Sequence, residues 1–268
     1  MSLGKEDAAA IAGRFLSARR AATGLSEYPG AFPDTLDQAY SVQDEAIAGW
    51  GKSIAGWKVG RILPPLSDRF GTDRLAGPIF SSNTAYTNGA MVQMPVFDKG
   101  FAAGEAEFLL HIRSSPAAGK KQFTLKEAAD LIDRVHVGLE IASSPLGTIN
   151  ELGPVAVISD FGNNNGLVVG PEIRNWSSSG FEEWNVTTLI NGTRVGAGRA
   201  ASFPDGAIGA ARFLFELMAR RGIKLQPGQW ISSGAVTGVH DARPGQLVEA
   251  RFNDSLKVLC TLAPAAPE

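Results

Sequence analysis

Phe101-Ala-Ala-Gly104-Glu105-Ala106-Glu107-Phe108-Leu-Leu-His-Ile-Arg113 is the stretch on which the reading of this chain turns. Two carboxylates lie two residues apart in a run that is otherwise apolar or small. In an extended strand residues i and i+2 project from the same face, so Glu105 and Glu107 stand side by side. Burying adjacent carboxylates is costly unless protons or a cation compensate. A hard divalent ion, which takes oxygen ligands, is one compensator. The other reading is a half-solvated strand whose glutamates face water. The pair alone leaves both open.

Further along, Val135 to Ala142 reads as a second apolar strand, with Glu140 between Leu139 and Ile141. Three glutamates are thus embedded in two apolar strands between positions 105 and 140, which tips the balance toward a metal site. Upstream, Ile54 to Gly60 reads as a short buried strand carrying one charge, Lys58. That lysine either snorkels to solvent or pairs with something acidic.

The rest of the chain sets the frame. Residues 5–22 read as an amphipathic helix with Ala9, Ile11, Phe15 and Leu16 on one side and Arg14, Arg19 and Arg20 elsewhere. Thr35-Leu36-Asp37-Gln38 resembles a capping box that opens a helix through Trp50, and Thr124-Leu125-Lys126-Glu127 another that opens a helix to about Arg134. Short strands are expected at 77–80 and 90–94, and strands at 184–190, near 229–234, at 246–252 and at 255–262. Val155 to Asp160 and Leu167 to Val169 are apolar runs around Phe161-Gly-Asn163-Asn-Asn-Gly166. Its asparagines either shape a turn or orient a ligand. Asn191-Gly192 is a strong hairpin signal, and Pro204 to Arg221 a helix stopped by Gly222. Helices gather at the N-terminus and in two inserts, so the expectation is α+β with a mixed or antiparallel β core.

Composition narrows the classes. The 268 residues are 44% hydrophobic and 19% charged, with a net charge of −2 and no basic block. Nothing favours nucleic acid or an anionic membrane surface, and no apolar run approaches a membrane span. A single cysteine, Cys260, excludes an intrachain disulfide. With an N-terminus that lacks the layout of a signal peptide, the expected location is the cytoplasm. Gly196-Ala-Gly198-Arg-Ala-Ala201 fits a dinucleotide motif on letters alone, but a hairpin precedes it. His111, His136 and His240 are isolated, against a zinc site, and no G-x-S-x-G elbow is present.

The ordered set Gly56-Trp57-Lys58-Val59-Gly60, Gly77-Pro78-Ile79-Phe80, Glu105-Ala106-Glu107, Leu139-Glu140-Ile141 and Gly166-Leu-Val-Val-Gly170 resembles the 2-keto-4-pentenoate hydratase family of the fumarylacetoacetate hydrolase superfamily. Tyr40 to Asp44, Gly228 to Thr237 and Arg243 to Gln246 extend the resemblance from about residue 5 to 262. It implies a mixed β-roll or barrel core, residues 76–268, with an N-terminal α/β portion, residues 1–75, in one continuous unit. It also implies Mg²⁺ or Mn²⁺ held by Glu105, Glu107 and Glu140, with Lys58 and Asp73 as catalytic candidates. Lys58, Ser159 and Asn163 are the candidates for binding substrate. The implied substrate is a small 2-oxo or 2-hydroxydienoic acid, hydrated to a 4-hydroxy-2-oxo acid in aromatic catabolism by a homo-oligomer. Decarboxylation of a 2-oxo diacid, hydrolysis of an acylpyruvate, or binding without turnover are the alternatives on this scaffold. The chain departs from the family at Gly71 to Gly77, where Asp73 remains but the proline and second acid of Asp-x-Pro-Asp-x-Gly are absent. Ser143-Ser144-Pro145 stands where the family often has Asp-Ser-Arg, and the turn at Asp160 to Asn163 is also altered.

Overall fold

The computed structural model describes residues 4–253 and 255–268. In chain order the strands are β1 (Ile54–Arg61), β2 (Arg74–Phe80), β3 (Thr84–Tyr86), β4 (Val92–Val96), β5 (Phe101–Ile112) and β6 (Ile132–Ser144). They continue with β7 (Asn164–Glu172), β8 (Val186–Ile190), β9 (Thr193–Gly198), β10 (Trp230–Ser232), β11 (Leu247–Phe252) and β12 (Leu256–Pro264). The helices are α1 (Lys5–Ala21), α2 (Leu36–Trp50), α3 (Leu66–Phe70), α4 (Leu125–Ala129), α5 (Pro154–Ser159), α6 (Trp176–Ser179) and α7 (Gly206–Arg221).

β5, from the opening stretch, is buried along its whole length and lies at the centre of a seven-stranded sheet ordered β2-β1-β10-β5-β6-β7-β3. A second sheet of five strands runs β4-β12-β11-β8-β9. Both mix parallel and antiparallel pairs: β1 with β10, β3 with β7 and β4 with β12 are parallel. The architecture is α+β, as the pattern predicts.

Alternation along β5 assigns its two faces. Ala106, Phe108, Leu110 and Ile112 join one apolar core with Val248, Ala250 and Phe252 of β11, and Phe108 meets Phe252 edge-on at 5.3 Å. Gly104 shares that face, where a β-carbon would come within 2.8 Å of Val248. The opposite face presents Glu105, Glu107 and Leu109. Both faces are therefore covered, which is why the strand reads as a nearly continuous apolar run.

Helix α1 packs Ile11, Phe15 and Leu16 against Val42 and Ala46 of α2 and Phe101 and Ala103 of β5. Truncating Phe15 there costs about 3–5 kcal/mol. Arg19 departs from the helical pattern. Instead of facing water it is buried, donating to Asp160 at 2.6 and 2.9 Å, to Asn165 Oδ1 at 3.0 Å and to the Ser143 carbonyl at 3.2 Å.

Two more expectations, at Thr124 and Thr35, are corrected, and the unassigned run at 155–160 finds its element. The helix capped by Thr124 ends at Ala129, because Ile132 already pairs with Ile112 in the sheet. The Val155 to Asp160 run is helix α5, opened by Pro154 at its first turn. Thr35 caps α2 through Gln38 N–H, but the Gln38 side chain returns to Asp34 N–H, one residue before the cap. The Asn191-Gly192 turn joins β8 to β9 with positive φ at both residues, the condition for the tight hairpin turn. Residue 75 lies inside β2, which pairs with β1 from Ile54 to Arg61.

Candidate metal centre

Register brings the charged residues together. Glu105 pairs directly with Glu140 across β5 and β6, and Leu109, on the Glu107 face, pairs with Ser232 of β10. Ser232 in turn pairs with Lys58 of β1. Side chains from four strands thus converge on one face of the sheet. One oxygen from each of Glu105, Glu107 and Glu140 lies within 4.8 Å of the others, and the three carboxylates are 4%, 0% and 0% exposed. The water-facing reading of the pair is thereby excluded.

Two of the carboxylates are held by one oxygen each. Glu107 Oε2 accepts from Ser232 Oγ at 2.5 Å and from the Gly234 N–H at 2.9 Å. Glu140 Oε1 accepts from Asn164 Nδ2 at 3.0 Å. Their other oxygens, Glu107 Oε1 and Glu140 Oε2, are buried without a hydrogen bond. Lys58 Nζ lies 3.2 Å from Glu140 Oε2 as an ion pair. Lys58 is itself buried, so it pairs with acid instead of snorkelling.

Electrostatics shows what this cluster lacks. Burial, then the charge of Glu140, pushes Glu105 up to about 8 against the opposing pull of Lys58. Burial, then Glu140 and Glu105, pushes Glu107 well above the usual carboxylate range, although Lys58 and Ser232 oppose it. Burial alone pulls the Lys58 ammonium down, but Glu140, Glu105 and Glu107 outweigh it and hold it above the ordinary lysine value. One ammonium does not neutralise three buried carboxylates. The unpartnered Glu107 Oε1, a Glu140 Oε2 met only by the Lys58 ammonium, and the all-oxygen donor set fit a hard divalent ion, with Asn164, Ser232 and Gly234 as the outer support that orients its ligands.

Glu105 and Lys58 also line a cavity of about 510 Å³, with Asn150 and Asn163 on one side and Leu66, Leu75, Phe203 and Val236 among its apolar walls. Other clefts, of about 410 and 540 Å³, lie between α2 and α7 and beside Pro116–Lys121, away from the glutamates. Asn163 Nδ2 donates to Asn150 Oδ1 at 3.3 Å, while its own Oδ1 is buried without a partner. The turn that carries it fits closely against β2: a β-carbon on Gly77 would meet the Phe161 carbonyl at 2.1 Å, and Gly162 has φ of +68°. The asparagine-rich turn therefore both shapes the chain and brings amides to the site.

The structure gathers Lys58, Glu105, Glu107, Glu140 and Asn163 and leaves out two candidates. Asp73 is not among the residues lining the cavity. Its side chain is 37% exposed, 3.6 Å from Arg74. Ser159 is fully buried, donating to the Val155 carbonyl at 2.7 Å and accepting from Tyr28 at 2.9 Å. It too lies off the cavity lining. Sequence reasoning missed Ser232 and Gly234 as partners of Glu107: they sit in the Gly228 to Thr237 stretch of the resemblance, but follow Glu107 by 125 and 127 residues, and nothing local ties them to it. Asn164 had a signal, its place in the polar turn.

No family model matches the chain. Over 226 residues, 83% of the chain and 82% of each relative, it is 22% identical to a 2-keto-4-pentenoate hydratase of Paraburkholderia xenovorans (strain LB400) and to 2-keto-4-pentenoate hydratase 3 of Pseudomonas putida. Among solved structures it matches 4-oxalocrotonate decarboxylase from Pseudomonas putida G7, complexed with magnesium and adipate, with a TM-score of 0.81. Identity there is 20%, and the match covers 97% of this chain and 99% of that one. Fumarylpyruvate hydrolase from Pseudomonas aeruginosa, in complex with Mn²⁺ and pyruvate, matches at a TM-score of 0.57 and 12% identity, over 78% of this chain and 89% of that one. In sequence along most of its length the chain is similar to 2-keto-4-pentenoate hydratases, and along nearly all of it the chain shares the fold of 4-oxalocrotonate decarboxylase.

Proposed function

We propose that the chain is a lyase that depends on Mg²⁺ or Mn²⁺ held by Glu105, Glu107 and Glu140, and that it hydrates a small 2-hydroxydienoate or 2-oxo-enoate to a 4-hydroxy-2-oxo acid. The observation that carries this reading is the cluster of three buried carboxylates, opening through Glu105 and Lys58 onto a largely apolar cavity. A bound divalent ion supplies Lewis acidity at the 2-oxo oxygen, where negative charge develops as the acid tautomerises. The chain's own residues supply the remainder. Lys58, kept protonated by the glutamates beside it, donates a hydrogen bond to a substrate oxygen and offsets its charge. Asn163 Oδ1, unpartnered at the cavity wall, accepts a hydrogen bond from a hydroxyl or from the attacking water. Leu75, Phe203 and Val236 cover the hydrocarbon part of the substrate and keep bulk water from it.

Decarboxylation of a 2-oxo diacid on the same centre is the second reading. The 0.81 TM-score to the decarboxylase complexed with magnesium and adipate supports it, and Asp73, the remaining acid of the altered 71–77 segment, stands off the cavity. The deciding experiment incubates the protein and Mg²⁺ with 2-hydroxypenta-2,4-dienoate and follows loss of the dienol absorbance. Loss that stops on chelation of the metal supports hydration. No turnover across a panel of dienoates, with CO₂ released from an unsaturated 2-oxo diacid, replaces it with the second reading.

A further inference from the structure

We propose that Arg61 anchors a second carboxylate, so that the cavity selects linear 2-oxo acids whose chain ends in a carboxylate over those ending in a methyl group. This rests on the proposed 2-oxo acid site and narrows its substrate class. Arg61 ends strand β1 and lines the same cavity as Lys58 and Glu105. Arg61 lies three positions beyond Lys58 along the strand, or about 10 Å along the backbone. Lys58 is committed to the glutamate end through Glu140, whereas Arg61 stands next to Ile62 and Leu63 of the same lining, Leu63 being 61% exposed. The cavity therefore has a cation at two separate places.

Arg61 is also without an anionic partner. Its Nε is buried with no hydrogen bond, and no carboxylate among the described residues lies within ion-pair distance of it. Its register neighbour Arg74 differs, with Asp73 at 3.6 Å and the Pro204 carbonyl at 2.5 Å. The Arg61 guanidinium instead lies 5.0 Å from the centre of the Phe203 ring. Stacking of this kind covers the flat face and leaves the N–H edge, the part that grips a carboxylate through two hydrogen bonds. A ligand ending in a methyl group desolvates that edge and returns nothing, whereas a terminal carboxylate satisfies it. Such a site discriminates through the unmet polar group as much as through the contact made.

The test uses two acids of equal length, 2-oxoadipate and 2-oxohexanoate, titrated calorimetrically into the Mg²⁺-loaded protein. Wild type is expected to bind 2-oxoadipate about 10- to 100-fold more tightly, the range for charge-assisted hydrogen bonds. Arg61→Gln removes that preference by weakening 2-oxoadipate alone, with 2-oxohexanoate changed less than about threefold; Arg61→Lys keeps part of it, because one ammonium replaces a two-pronged contact. Equal weakening of both acids by Arg61→Gln overturns the inference, since Arg61 then serves the shared 2-oxo end or the fold. Absence of any preference in wild type overturns it too. In both cases binding of 2-oxohexanoate that vanishes on chelation leaves the proposed function standing. If neither acid binds with Mg²⁺ present, that reading falls and this inference with it.

Discussion

Replacing Glu105 by glutamine should stabilise the metal-free protein while destroying its response to metal. Glu105 titrates at about 8 in the fold against an ordinary 4.5. A carboxyl whose folded pKa is raised contributes stability that is fully present below the unfolded value and is lost as pH rises through the folded one. At about 1.36 kcal/mol per pH unit, the cost of Glu105 is under ~1 kcal/mol at pH 5 and about 4 kcal/mol at pH 8. Glutamine keeps the shape and carries no charge, so Glu105→Gln removes that cost. For a chain of this size the gain at pH 8 raises the Tm by about 10 °C. Burial, the leading cause, pulls His136 below its ordinary 6.5. It acts with the opposite sign, adding stability as pH rises through that region, and cancels when wild type and variant are compared. The assay is thermal unfolding at pH 5 and pH 8, first in chelator and then in excess Mg²⁺ or Mn²⁺. In chelator the variant should lead at pH 8 and match wild type at pH 5. With metal at 100 times its Kd, wild type should gain about 3 kcal/mol and the variant little. A variant no more stable than wild type at pH 8 in chelator would mean that Glu105 ionises without penalty, and the argument from buried charge to bound metal would collapse.

Asn164→Ala removes the amide that holds Glu140 Oε1 and should weaken metal binding about 10- to 100-fold, read by titration calorimetry. Lys58→Met should lower turnover at least ~100-fold with the protein still folded in the presence of metal, checked by steady-state rates beside a melting curve. Asp73→Asn and Ser159→Ala should each leave kcat/KM within about threefold. For Ser159→Ala the loss of its two hydrogen bonds should appear in urea unfolding as about 1 kcal/mol.

The legible parts of this molecule were those written in short-range pattern. Glu105 and Glu107 two apart in an apolar run, the Asn191-Gly192 turn, and helix α7 ending at Gly222 are local facts with local causes. Reading failed where a distant partner decides the outcome. The helix after Thr124 is cut short by Ile112 across the sheet. Arg19 is drawn inward by Asp160, 141 residues later, and no helical period encodes that. Asp73 and Ser159 came from family resemblance, and the packing around them sends both side chains elsewhere: Asp73 toward Arg74, Ser159 toward Tyr28. Arg61 carried no signal because a charged residue at a strand end is ordinary until the cavity beside it is seen.

The clamp on Glu107 has a consequence for the order in which the molecule is made. Ser232 and Gly234 follow Glu107 by 125 and 127 residues. On a ribosome adding about 5–20 residues per second, that gap lasts about 6 to 25 s. All three glutamates leave the exit tunnel long before the strand that fixes one of them exists. Until β10 arrives beside β5, a captured ion has no fixed cage to hold it. If the centre holds an ion as proposed, its tight retention is acquired late in synthesis, and a nascent chain arrested before Ser232 should exchange that ion freely.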